Sequence, residues 1–182
     1  MFRTPRSIGV AAAAVLVASL ALGPSFAPST AEGQGANRAQ IYVVQGRVPS
    51  TFSGKDGLIR FGRQNHRNVL QEVTDVPVKE RSWIARLIVQ FTRPLGDWEF
   101  GVYFFQVNGN TREFINSTSV HVNDRNERNF IQKLELKRPE FKPNTKIDLV
   151  LRVRGHEAGT RRVTLSGEEI RVRHTGTVDF TQ

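Results

Sequence analysis

From Ile41 onward the apolar residues recur mostly at every second position, in short runs bounded by Gly, Pro, Asn and Asp. That is the spacing of strands with one buried face. In the longest run Trp83, Ala85, Leu87, Val89 and Phe91 alternate with Ile84, Arg86, Ile88, Gln90 and Thr92, so one face is wholly apolar and the other mixed. In the next, Trp98, Phe100, Val102 and Phe104 load one face and Tyr103, Phe105 and Val107 the other. This predicts a central strand covered on both sides, with Trp98 in the core. Asn108-Gly109 follows, and because Asn and Gly accept the positive φ of a type I′ turn, the chain is expected to reverse into a strand over 112–122.

Leu134 and Leu136 alternate with Lys133, Glu135 and Lys137, and Ile147, Leu149, Leu151 and Val153 alternate with Lys146, Asp148, Arg152 and Arg154. Both runs predict one-sided strands with wet outer faces. Pro139 and Pro143 bracket a loop between them, with Phe141 as its plug. Ser166-Gly167 reads as a tight turn joining 161–165 to 169–174, and Val178 and Phe180 mark a last strand. Residues 41–48 and 58–62 are read as strands, and 64–79, which has no clean period, as loop with at most one short helical turn. Eight to ten short strands without an internal repeat predict one all-β domain. The expected architecture is an antiparallel β-sandwich, with a closed barrel as the alternative.

The first forty residues break this pattern. Arg3 and Arg6 precede an apolar stretch from Ile8 to Leu22, Gly23-Pro24 ends it, and Ser29-Thr30-Ala31 supplies small side chains for cleavage. This three-part layout predicts a signal peptide over 1–31, a polar leader over 32–40 and a folded domain over 41–182. The apolar stretch of about fifteen residues falls short of the roughly twenty a spanning helix needs, and no later segment approaches that length. The expectation is an exported protein, periplasmic, surface-bound or secreted, with no transmembrane segment after cleavage. The chain contains no cysteine, which removes thiol catalysis, thiolate metal sites and lipid attachment at a cysteine.

Of 26 Lys+Arg against 17 Asp+Glu, only Arg3 and Arg6 precede Glu32, so the cleaved form keeps a net charge of +7. Its most concentrated feature is a set of arginines in the last third: Arg152 and Arg154 end one strand, Arg161 and Arg162 begin the next, and Arg171 and Arg173 lie on the one after. If these strands pair as a meander, the guanidinium groups stack into one basic face flanked by His156 and His174. Such a face attracts polyanions through charge and bidentate hydrogen bonds. Outside the cytoplasm the candidate partners are anionic polysaccharide, lipopolysaccharide phosphates, lipid headgroups or DNA. Nucleic acid is the least expected, because no exposed aromatics interleave the stripe. The rival reading is a solvated sheet face, partly neutralised by Glu157, Glu168 and Glu169.

Catalytic signals are thin. His66, His121, His156 and His174 form no metal-ligand spacing. Ser117, Ser119 and His121 point the same way from one strand, but no nucleophile elbow surrounds either serine and no carboxylate is placed to orient His121. Asp97 and Glu99 beside Trp98 and Tyr103 are the one acidic pair with an aromatic setting, as a carbohydrate-active enzyme would need. Asn123-Asp124-Arg125-Asn126-Glu127 has oxygen ligands of the type calcium uses, but not the order of a calcium loop, and its arginine opposes a cation. Asn116-Ser117-Thr118 matches a glycosylation sequon, relevant only in a host with that machinery. The sequence thus predicts a non-enzymatic binding or structural module without a cofactor.

Overall fold

A computed structural model describes residues 37–169 apart from 53 and 55. Eight strands occur there: β1 (Ala39–Val44), β2 (Val69–Gln71), β3 (Ser82–Phe91), β4 (Glu99–Asn108), β5 (Thr111–His121), β6 (Asn129–Lys137), β7 (Thr145–Val153) and β8 (His156–Ser166). They form two sheets of order β1-β3-β6 and β2-β8-β7-β4-β5, antiparallel except where β2 runs parallel to β8. The fold is an all-β sandwich, not a closed barrel. The alternating residues read from the sequence make its core: Trp83, Leu87 and Phe91 of β3 face Phe100 and Val102 of β4, Leu149 and Leu151 of β7, and Val163 and Leu165 of β8. Phe91, Phe100 and Phe130 pack edge-on or tilted at 5.5 to 5.8 Å between ring centres, a favoured aromatic geometry. Phe141 closes one end against Phe104.

Several expectations are corrected. Residues 58–62 are not a strand but part of a helix, α1 (Gly57–Asn65), whose buried Ile59 and Gly62 stand three apart on one face. The helix lies on the outer side of the three-stranded sheet over Val44 and Ile88, which is why Ile88 is fully buried on the face opposite the main core. β1 starts at Ala39, inside the segment expected to be leader, and Asn37 donates to the carbonyls of Arg93 and Pro94. The β4–β5 hairpin forms, but its two loop residues are Gly109 and Asn110. Of these only Gly109 has positive φ, at 60°, the pattern of a type II′ turn in place of type I′. β8 ends at Ser166, and between Thr164 and Ser166 its edges are taken by β7 and β2. The strands expected over 169–174 and at 178–180 lie, from residue 170, outside the described residues.

The five-stranded sheet departs most from expectation on its outer face. β7, expected to be wet there, has Asp148 and Val150 fully buried: β4 and β8 flank it, and Arg112 of β5 and Arg162 of β8 close over Asp148. β4, expected to be covered on both sides, leaves Tyr103, Phe105 and Val107 only half-buried, and no described element lies over them. Trp98, expected in the core, is 57 % exposed: it precedes the first residue of β4, beyond the edge of the packed layer. Among the described residues no helix is long and apolar enough to cross a membrane.

Candidate ligand-binding face

The arginines singled out in the sequence do not form one stripe. Arg171 and Arg173, with the flanking His174, lie outside the described residues. Arg161 and Arg162 are consecutive on β8 and so point to opposite sides. Arg161 shares the face of Val163 and Leu165 and donates to the side-chain oxygen of Asn68 at the sheet edge. Arg154 occupies the β7–β8 turn with Gly155, both at positive φ, and its guanidinium holds Asp97 at 3.1 Å and the carbonyl of Gly96. Only Arg152 and Arg162 stand on the outer face of the sheet.

A third arginine joins them from a distant part of the chain. Arg162 clasps both oxygens of Asp148 at 2.7 and 3.0 Å, and Arg112 of β5 reaches Oδ2 at 2.8 Å. Two guanidinium groups, each about half exposed, thereby cover a carboxylate that is 1 % exposed. The Arg162 hydrogen bonds, assisted by the charge of Arg112 and opposed by burial, hold the Asp148 carboxyl below the usual carboxylate range.

Arg152 is different. Its guanidinium carbon sits 4.9 Å from the ring centre of Tyr103, a cation–π stack. Among the described residues it makes no hydrogen bond or ion pair, and its Nε is buried without a partner. The stack depends on Gly101: a Cβ there would stand 2.6 Å from Cε2 of Tyr103, so only glycine lets the ring lie down along the strand. Pairing sets Gly101 between Arg152 and Ser119, and Tyr103 between Val150 and Ser117. Glu157, paired with Arg152 across β8, instead accepts a hydrogen bond from Thr160.

Beyond Tyr103 the face is aromatic. A bulge between Phe104 and Phe105 leaves Ile115 as an extra residue on β5 that packs inward, and this turns Phe114 outward beside Phe105. Phe114 is 54 % exposed and lies 5.7 Å from Phe105 and 6.4 Å from Tyr103. Aromatics therefore do interleave the basic residues, contrary to the sequence reading, so the ground on which nucleic acid ranked last does not hold. Tyr103 and Phe105 were assigned to a covered face, Phe114 sits in a Ser/Thr-rich segment, and Arg112 is forty residues from Arg152; register alone assembles them.

The groups considered for catalysis are also placed. Ser117, Ser119 and His121 share the outer face of β5, and Glu99, paired with His121 across β4, brings a carboxylate that the sequence did not supply. Its oxygen lies 3.7 Å from Nδ1 of His121, beyond hydrogen-bond length, and both side chains are more than half exposed. The serines stand in a row beside His121 without converging on it. Asp97 accepts from the Trp98 amide and from Arg154, which hold its carboxyl below the usual carboxylate range. The segment from Asn123 to Glu127 folds onto itself, with Asp124 capping the Asn126 amide. Among the described residues no three His, Asp or Glu side chains gather to hold a metal. A depression of about 800 Å³ lined by Pro77, Val78, Lys79, Asn144, Glu168 and Glu169 lies away from this face and lacks both aromatics and arginine. No protein-family model matches this chain, and no curated protein matches it in sequence.

Proposed function

We propose that this protein is an exported, non-enzymatic binding module that takes polyanionic ligands on the outer face of its five-stranded sheet. The observation that supports this best is Arg152. A guanidinium held over the ring of Tyr103, with no acceptor among the described residues, is an anion receptor whose side-chain entropy is already reduced. Phe105 and Phe114 add a half-open apolar floor beside it. Export is supported by the Arg3 to Ala31 pattern. Protein recovered from the envelope or medium is expected to begin near Glu32, and an intact Met1 terminus on all of it would remove the exported reading.

Because any basic protein adheres to an anionic matrix, the binding test compares two variants of equal charge. Arg86 is an exposed arginine on the outer side of the three-stranded sheet. Arg152→Ser is expected to elute from immobilised heparin at clearly lower salt than Arg86→Ser, with both retained alike on a plain cation exchanger. Identical heparin elution would show that bulk charge alone drives retention.

A further inference from the structure

Resting on that reading, we propose that the polyanion is an acidic polysaccharide, with the carboxylate of one sugar on Arg152 and the apolar face of a neighbouring ring on Phe105 and Phe114. The distribution of charge favours it. Of the three arginines on the face, Arg112 and Arg162 pair with the buried Asp148, and Arg152 alone has no carboxylate partner among the described residues. A ligand with dense charge, such as nucleic acid or an anionic bilayer, gains affinity by pairing with many cations at once. Apart from Lys146 at the far end of β7, the face offers one cation without a carboxylate partner among the described residues and, within four residues along the strands, three aromatic rings. That composition matches a polymer whose charges are spaced by uncharged C–H and hydroxyl surface.

The geometry fits the same ligand in detail. A guanidinium presents a planar fork that takes a carboxylate through two parallel hydrogen bonds, and because Nε of Arg152 is enclosed, the carboxylate is assigned to its two terminal nitrogens. Ser119 and Ser117, paired with Gly101 and Tyr103, line the β5 side with hydroxyl groups suited to sugar hydroxyls, and Thr160 stands opposite on β8. Arg152 and the Asp148 clasp are four residues apart on β7, about 13 Å along the strand. The aromatic floor fills that span, enough for more than one sugar ring. Phe114, more than half exposed, is the side chain a ring would cover.

The test is calorimetric titration of the purified protein with four probes: an oligogalacturonate, its methyl ester, a single-stranded oligothymidine and vesicles of phosphatidylglycerol. The oligogalacturonate is expected to bind and the ester, which lacks the charge, to bind at least tenfold more weakly. Phe114→Ala, at an exposed position, and Arg152→Lys, which keeps the charge but loses the fork, are each expected to lower oligogalacturonate affinity about tenfold while leaving cation-exchange retention unchanged. Tighter binding of oligothymidine or vesicles than of oligogalacturonate, or affinity indifferent to Phe114→Ala, overturns the sugar assignment. Either result leaves the polyanion face standing so long as Arg152→Ser still separates from Arg86→Ser on heparin. If that separation is also absent, both readings fall.

Discussion

Asp148 shows how a single buried carboxylate organises the outer face. It is 1 % exposed yet charged, which is tolerable only because Arg162 supplies two hydrogen bonds to its oxygens and Arg112 an ion pair. The same clasp occupies two of the arginines of the outer face and leaves Arg152 without a carboxylate partner among the described residues. Folding lowers the Asp148 pKa, so its contribution is in place above the unfolded carboxylate value and disappears as pH falls through the lower folded value. Asp148→Asn is expected to cost about 2 kcal/mol near neutral pH, since the two arginines it releases are half exposed and can be solvated. The gap in Tm between the native protein and Asp148→Asn should then close on acidification. A gap that stays constant down to pH 2 would show that the carboxylate charge does not stabilise the fold.

At the scale of elements, the strands that alternate strictly were legible in the sequence and those shaped by their neighbours were not. β3 and the core face of β4 follow directly from period two, and Phe141 was read correctly as a plug. The segment at 58–62 was misread because a run with apolar residues at Leu58, Ile59 and Phe61 satisfies strand and helix spacing over so few residues. β7 looked one-sided because Asp148 is charged; what buries it comes from β5 and β8, which no local pattern reveals. The candidate site was legible only in part. Arg152 and Arg162 stand out in the sequence, but period two places Tyr103 and Phe105 on a covered face and does not single out Phe114 or Arg112, because the Phe104/Phe105 bulge decides which of Phe114 and Ile115 faces out. Arg161 could have been excluded on sequence alone, since adjacent strand residues face opposite sides.

For the whole molecule, the two sheets present unlike outer surfaces. The three-stranded sheet is capped by α1, which buries Ile88 and Val44, whereas the described elements leave the five-stranded sheet uncovered over Tyr103, Phe105 and Phe114. The proposed anionic ligand is therefore assigned to the open face of the five-stranded sheet. The most direct measurement is a titration of isotope-labelled protein with an oligogalacturonate, following backbone amide shifts by NMR. The account predicts that the largest changes fall on Gly101, Tyr103, Phe114, Ser119 and Arg152, all on the outer face of β4, β5 and β7. Changes centred instead on Arg60 and Arg63 of α1, or on Lys133 and Lys137 of β6, would contradict it.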